Sequence, residues 1–318
     1  MTCAHSLGLP APRPRPGLPE RVTIWEVGPR DGLQAEPVAV TAADRATLIR
    51  RLAAAGAGVI EAGSFVRADR VPQMADSGEV LAAVADLDVR LPVLTPNRRG
   101  LDDAIAAGAR EVAVFLSATE RFSEANLGAP MAKAEAAAEA VVRAATEQGI
   151  RVRGYVSMVF GDPWEGRVAP TASAEVSERM LEWGVAEVSL GDTIGVATPG
   201  AVMDVVDAHR ARGISAGSLA LHMHDTYGQA LANVYAGLEA GVSIFDSAVA
   251  GTGGCPFAKS ATGNLATEDL LWMLDGLGIE HGMDLSAIAD TGDWLSGVLG
   301  RATTSRVARA LAGGKDAR

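Results

Sequence analysis

The sequence predicts an α/β fold, a closed (β/α)8 TIM barrel with additional C-terminal helices. From residue 21 onward, short apolar and β-branched runs alternate with longer alanine-rich stretches. Strands that alternate with helices pair in parallel, because each helix returns the chain to the same edge of the sheet. Eight strands without a clear break favour a closed barrel over an open sheet. An open dinucleotide-binding sheet needs G-x-G-x-x-G after its first strand, whereas this chain has GPRDGLQ there.

The predicted elements follow one another at regular spacing. The strands cover residues 22–27, 58–62, 89–94, 110–116, 151–157, 186–190, 218–223 and 243–247. Helix-compatible segments lie between them at 41–55, 98–107, 131–148, 171–183, 199–211 and 227–240. Thr41 and Thr171 are placed to cap two of these helices. Glycines are placed to end five of them, at Gly56, Gly108, Gly149, Gly184 and Gly241.

The composition excludes several classes of function. The 318 residues include 28 Lys and Arg against 39 Asp and Glu, a net charge of −11 that argues against binding nucleic acid. No apolar run reaches the ~18 residues of a membrane-spanning helix. The two cysteines, Cys3 and Cys255, are far apart in the chain, so no disulfide framework is expected. This usage fits a reducing compartment, and we predict a cytoplasmic protein.

The chain is predicted to form a single domain with two flexible ends. Residues 1–20 are expected to be a disordered tail, because five prolines in residues 10–19 oppose a helix. Residues 21–312 form the barrel and its C-terminal helical extension, of which residues 267–312 exceed what barrel closure requires. Residues 313–318 are expected to be flexible.

Charged and polar side chains collect at one end of the predicted strands. In a parallel barrel the carboxyl ends of the strands, with the loops that follow, carry the chemistry. Chance placement would not favour such clustering. The residues at these positions are Glu26, Arg30, Asp31, Glu61, Asp192, Thr193, His222 and His224.

The H-M-H unit formed by His222 and His224 is the sharpest local signal. Residues i and i+2 of a strand face the same side, so both imidazoles would point into the barrel mouth. Two imidazoles so placed are suited to hold one metal ion. The alternative is a pair of hydrogen-bonded core histidines. Strand eight closes on strand one, so Asp31 can face the pair across the mouth.

The Arg30–Asp31 pair, Cys255 and Asn264 each allow two interpretations. Arg30 and Asp31 form either a surface salt bridge or, in a tight glycine-bounded turn, an anion-holding arginine beside a metal-binding carboxylate. Cys255 is either a buried small side chain or a thiol on a glycine-rich loop that transfers a proton. Asn264 is either a neutral metal ligand or the cap of the helix that follows, and capping is favoured when Asn264 is taken alone.

The assembled motifs resemble the 3-hydroxy-3-methylglutaryl-CoA lyase family, whose members are metal-dependent aldolase-type barrels. The resemblance covers about residues 22–310. The motifs that carry it are EVGPRDGLQ (26–34), VPQM (71–74), VLTPN (93–97), RGYVS (153–157), SLGDTIGVATPG (189–200), HMHDTYGQALAN (222–233) and GGCPFAKSATGNLATEDL (253–270). Motifs of this length and order are far more specific than H-x-H alone.

The resemblance implies a set of site residues. A divalent metal ion, Mg²⁺ or Mn²⁺ with Co²⁺ and Zn²⁺ also compatible, would be held by Asp31, His222, His224 and Asn264. Arg30 and Cys255 match the catalytic arginine and cysteine of the family. Glu61 and Asp192 match acidic residues that support the site. The substrate-binding residues would be Arg30, Gln34, Asn126 and Thr193.

The resemblance also implies a reaction. The family cleaves 3-hydroxy-3-methylglutaryl-CoA to acetyl-CoA and acetoacetate by a retro-aldol (Claisen-type) step of leucine degradation and ketone-body formation. Arg30 would stabilise the enolate and Cys255 would reprotonate it, while Asp31, His222 and a metal-bound water are alternative bases. A homodimer is implied as well.

Departures from the family pattern leave the acyl group open. Thr252 stands where leucine is more common, and the loop that contains Asn126 lacks the family's N-x-N. Citramalyl-CoA and isoprenyl-extended glutaryl-CoA are therefore alternative substrates. A condensing synthase and a non-catalytic barrel that only binds CoA esters are more distant alternatives.

Overall fold

Parallel strands form one curled sheet in the computed structural model, which describes residues 8–254 and 263–313. Within this part of the chain the sheet has nine strands, and a helix separates each strand from the next except the second from the third. The strands are β1 Thr23–Glu26, β2 Val59–Ile60, β3 Gly63–Ser64, β4 Val93–Leu94, β5 Glu111–Ser117, β6 Arg151–Ser157, β7 Glu187–Asp192, β8 Leu219–Met223 and β9 Ile244–Ser247. The parallel α/β prediction is confirmed.

Helices connect the strands and extend the chain after β9. They are α1 Ala42–Ala54, α2 Ser77–Ala83, α3 Arg98–Ala106, α4 Glu120–Phe122, α5 Met131–Thr146, α6 Pro170–Trp183, α7 Pro199–Ala211, α8 Ala230–Glu239, α9 Thr267–Leu277, α10 Leu285–Leu299 and α11 Arg306–Gly313. The last three confirm the predicted C-terminal helices. Among the described residues, no helix combines the length and apolar character that crossing a lipid bilayer requires.

The two faces of the sheet have different environments. Val112 and Val114 of β5 share the large apolar core with Val141 and Val142 of α5, so they face the helices. Ala113, between them, packs in a separate small cluster with Leu94 and Tyr155. Successive residues of a strand point to opposite faces. The concave face therefore holds a second, smaller interior, and the functional side chains described below project from the strand ends that surround it.

The order of the strands makes the sheet TIM-barrel-like without a single continuous ring of strands. The order is β2-β1-β9-β8-β7-β6-β5-β4-β3, so that β2 and β3 stand at its two ends. The predicted second strand, 58–62, is shorter than expected because the chain changes partner at Glu61 and Ala62. The Glu61 N–H donates to Glu26 O at 2.9 Å, whereas the Ala62 N–H donates to Pro92 O at 2.9 Å.

Local signals predicted most helix ends correctly. The Thr41 side chain accepts a hydrogen bond from Asp44 N at 3.1 Å and caps α1 as expected. The predicted cap at Thr171 is wrong, because α6 begins one residue earlier at Pro170, whose fixed φ and missing N–H suit a first helical turn. The five glycines predicted to end helices all have positive φ.

The described part of the proline-rich segment contacts the folded domain. The Arg13 N–H donates to Gly276 O of α9 at 2.8 Å. The Arg21 guanidinium pairs with the Glu280 carboxylate, and the two residues also form a backbone bridge. The backbone at Arg13 therefore lies against the end of α9.

Candidate active site

Three side chains that could together hold a metal ion meet at the carboxyl ends of β1 and β8. One ligand atom from each of Asp31, His222 and His224 lies within 4.8 Å of the other two. His222 Nε2 is 3.2 Å from His224 Nε2 and 3.8 Å from Asp31 Oδ2. The alternation of β8 thus points both imidazoles to the same side, as predicted. The residues His222 and His224 are almost entirely buried, with relative exposures of 9% and 5%.

The turn after β1 aims Arg30 and Asp31. The sequence predicts a tight turn, and the structure has a short π-helical turn over Gly28–Gly32. A side chain at Gly32 is excluded, because a Cβ there would lie 2.3 Å from Thr252 Oγ1. Arg30 Nη1 donates to Asp31 Oδ1 at 2.7 Å, and Arg30 Nη2 lies 2.7 Å from Glu61 Oε2. Since Arg30 is buried, the alternative of a surface salt bridge is wrong.

Asn264 joins the same cluster from the segment before α9. Its Nδ2 donates to Asp31 Oδ2 at 3.0 Å and to Thr252 O at 3.1 Å. The Asn264 Oδ1 is buried without a hydrogen-bond partner in residues 8–254 and 263–313. The capping interpretation is wrong, because α9 begins at Thr267 with Ala266 as its N-cap. The amide oxygen is therefore free to act as a neutral ligand.

Burial and neighbouring charges shift the pKa values of the cluster toward the protonation states that bind a cation. Burial opposes ionisation of Asp31, but Arg30 and the two histidines outweigh it and lower the pKa of Asp31 to about 2. Burial, together with the neighbouring His222, lowers the pKa of His224 to about 4. Burial raises the pKa of Glu61 even though Arg30 lies beside it. At neutral pH the cluster thus offers an ionised carboxylate and a neutral imidazole, both of which bind divalent metals.

Comparison with known proteins assigns this chain to a family. A family model described as HMGL-like matches residues 21–295. The chain belongs to the HMGL-like family.

Curated relatives of this HMGL-like chain carry the same enzyme name in two compartments. It is 49% identical over 296 residues to the mitochondrial hydroxymethylglutaryl-CoA lyase of Arabidopsis thaliana, covering 93% of this chain and 63% of that protein. It is 51% identical to the cytoplasmic 3-hydroxy-3-methylglutaryl-CoA lyase of Danio rerio, covering 93% of this chain and 88% of the relative. The chain thus spans less than two thirds of the plant relative.

Solved structures of two named HMG-CoA lyases share this fold over most of the chain. The hydroxymethylglutaryl-CoA lyase of Pseudomonas aeruginosa superposes with a TM-score of 0.91 at 47% identity, covering 93% of this chain and 99% of that one. An HMG-CoA lyase of Acinetobacter baumannii in complex with coenzyme A and 3-methylmalate gives a TM-score of 0.87 at 36% identity, covering 92% and 95%.

Other predicted site residues of this HMGL-like chain lie around the cluster in different roles. The Asp192 carboxylate accepts hydrogen bonds from the backbone of Val196 and Ala197, and burial raises its pKa to about 7. Thr193 Oγ1 accepts from Met158 N at 2.8 Å. These contacts fix the loops after β6 and β7, and the Asp192 carboxylate lies close enough to His222 to interact with it electrostatically.

Three predicted residues receive less support from the geometry. Gln34 Oε1 is buried, with no hydrogen-bond partner in the described parts of the chain. Asn126 is half-buried in a second π-helical turn, Ser123–Leu127. Cys255 lies outside the residues that the structure describes. The roles of all three stay predictions.

Sequence reasoning missed the groups beneath the metal-ligating cluster. Asp246 of β9 lies opposite His222 of β8 in the strand register, and the two side chains are in contact. Arg153 of β6 contacts the same carboxylate. The detectable signal was an ionisable residue inside each of two short apolar strands, SIFDS and RVRGYVS. A charge inside a barrel needs a partner, because burying it alone is costly.

Proposed function

We propose that this protein is a divalent-metal-dependent carbon–carbon lyase that cleaves 3-hydroxy-3-methylglutaryl-CoA to acetyl-CoA and acetoacetate. The observation that carries the proposal is the convergence of Asp31, His222 and His224 beside the buried Arg30. The names of the relatives support the substrate. The complex of one structural neighbour with coenzyme A supports a CoA thioester.

The residues present fit a divalent metal ion. Asp31, His222, His224 and Asn264 would hold it, and the unpartnered Asn264 Oδ1 is the observation that tests this fit. Two nitrogen and two oxygen ligands suit Mg²⁺ or Mn²⁺ and are also compatible with Co²⁺ or Zn²⁺. A bound ion would supply Lewis acidity toward the oxygens of the substrate.

The charged side chains of this chain suit a retro-aldol cleavage. In that step the C3 hydroxyl loses its proton and becomes a carbonyl, the C2–C3 bond breaks, and its electrons pass to the thioester. Arg30 is held by Asp31 and Glu61 and would stabilise the enolate oxygen of the departing acetyl-CoA. His222 and Asp31 are this chain's candidates for accepting the hydroxyl proton. Cys255 would return a proton to C2.

The direct test is a cleavage assay with identification of both products. The purified protein, treated with a chelator and then supplied with Mg²⁺ or Mn²⁺, should release acetoacetate and acetyl-CoA in equal amounts. His224→Ala should abolish this release and the binding of Mn²⁺ while the fold survives. Absence of acetoacetate from the metal-supplied wild-type protein would refute the proposed substrate.

A panel of thioesters separates the related possibilities. Faster cleavage of citramalyl-CoA or of an isoprenyl-extended glutaryl-CoA would identify a different acyl group for the same chemistry. Acyl transfer from acetyl-CoA onto a 2-oxo acid would indicate a synthase. A barrel that only binds CoA esters would bind them equally well with and without added metal.

The other features we propose concern architecture and assembly. Residues 59–64 act as one strand that closes a (β/α)8 barrel, because Val59 bridges Arg90 while it pairs with Trp25. Residues 21–312 are then one catalytic domain, in a cytoplasmic homodimer. Gln34, Asn126 and Thr193 contact the substrate.

A further inference from the structure

A buried carboxylate lies directly beneath one of the metal-ligating histidines. Asp246 Oδ2 is 3.1 Å from His222 Nδ1, on the side of the ring opposite the Nε2 that faces His224. The Asp246 side chain is completely inaccessible to solvent. An ionised carboxylate only accepts hydrogen bonds, so the shared proton belongs to His222 Nδ1.

Two further side chains keep the carboxylate in this orientation. Arg153 Nη2 donates to Asp246 Oδ1 at 2.7 Å, and Ser189 Oγ donates to Asp246 Oδ2 at 2.8 Å. The Arg153 guanidinium is itself stacked on the Trp25 ring, 3.7 Å from its centroid, and Arg153 Nε is 3.5 Å from Glu187 Oε1. Strands β1, β6, β7 and β9 thus fix the position of Asp246.

We propose that Asp246 is a positioning residue that holds His222 in the Nδ1–H tautomer, with the Nε2 lone pair directed at the metal site. The inference rests on the proposed function only in taking a divalent metal ion as the ligand of that site. It explains why a charged pair lies inside the barrel, where apolar side chains would fill the space at lower cost. Carboxylates that orient ligating histidines affect metal affinity without contacting the ion.

The first test reads the tautomer directly in the wild-type protein. The metal-free chain, labelled with ¹⁵N-histidine, is studied by two-bond ¹H–¹⁵N correlation at about pH 9, above the ordinary imidazole pKa of about 6.5. We expect His222 to have a protonated Nδ1 and an unprotonated Nε2. His209 is an internal standard, because its Nδ1 faces Val205 O at 2.8 Å and requires the same tautomer. Traces of Mn²⁺ should broaden the signals of His222 and His224, which lie together, and spare those of His209. The set of broadened signals that is missing in His224→Ala then belongs to His224 and assigns the other set to His222.

The second test measures metal affinity in a pair of matched variants. Asp246→Asn should weaken Mn²⁺ binding by roughly 10- to 100-fold and shift the His222 signals away from the pure Nδ1–H pattern. Asp162→Asn makes the same chemical change at a buried carboxylate that accepts hydrogen bonds from Thr119, Trp164 and Glu165. This control should keep wild-type Mn²⁺ affinity and an unchanged His222 spectrum.

Either test can overturn the proposal. An Nε2–H tautomer of His222 in the wild-type protein refutes it, and this result needs no variant to fold. A folded Asp246→Asn protein with wild-type Mn²⁺ affinity also refutes it. Both readouts use no substrate, so they are independent of the proposed function. A protein that passes both tests and releases no acetoacetate would refute the lyase proposal alone.

Discussion

Neutralising Glu61 tests whether the buried ion pair positions Arg30 for catalysis. Glu61 Oε2 is 2.7 Å from Arg30 Nη2 and accepts a hydrogen bond from Tyr155 OH at 3.3 Å. Glutamine keeps the size and one acceptor oxygen but removes the charge. A hydrogen bond to a charged group contributes about 1.5–3 kcal/mol. If that energy orients Arg30 in the transition state, Glu61→Gln should lower kcat/KM by about 10- to 150-fold.

The assay compares steady-state acetoacetate release with thermal unfolding of the same preparations. Glu111→Gln is the matched control, since Glu111 is also a buried glutamate paired with arginines, Arg90 and Arg151, but opens β5 at the opposite end of the strands. We expect the control to lose stability while its kcat/KM stays near the wild-type value. A Glu61→Gln enzyme that is folded and fully active would show that Arg30 does not depend on this carboxylate.

Three other predictions concern the metal, the glycine-rich loop and the pH dependence of stability. His224→Ala should lose Mn²⁺ binding and activity together, and turnover that persists in the chelator-treated variant would contradict the site. Cys255→Ser should slow turnover strongly with Mn²⁺ still bound, so a near-normal rate would remove the thiol from the mechanism. Burial lowers the pKa of His209, which accepts a hydrogen bond from Ser177. The unfolded chain therefore binds this proton more readily, and the stabilisation present above about pH 6.5 is lost as the pH falls. Urea unfolding at about pH 8 and pH 5 should show a smaller loss in His209→Gln than in the wild type, and equal losses would contradict the assignment.

The fold was largely predictable because its signals are local. Period-two apolar runs, helix caps and glycines with positive φ each depend on a few neighbouring residues. The predicted strand 89–94 shrinks to β4, Val93–Leu94, since Pro92 has no N–H to donate to the sheet. The split between β2 and β3 depends on which neighbouring strand accepts the hydrogen bond of each backbone N–H. The periodicity of the sequence does not contain that information.

The residues of the candidate metal site were predictable for a different reason. His222 and His224 are two residues apart, so strand geometry alone places them together. Asn264 is the contrasting case. Considered by itself it suits a helix cap, and only the three-dimensional contact with Asp31 identifies its position in the site. A site residue that comes from a distant segment of the chain can be recognised only from the residues that it contacts in the folded structure.

The missed pair, Asp246 and Arg153, follows from combining two correct predictions. Residues 151–157 and 243–247 were both expected to be strands of one parallel barrel, and each contains charges among apolar residues. Side chains on the concave face of a small barrel are excluded from water. A charged side chain there therefore needs an oppositely charged partner within the barrel. In the structure His222 and Asp246 share a register position, and Arg153 reaches the same carboxylate from β6. A charged residue inside a predicted barrel strand therefore indicates an oppositely charged partner on another strand of the barrel. It also indicates a polar group at the carboxyl ends of the strands, which the charged pair orients.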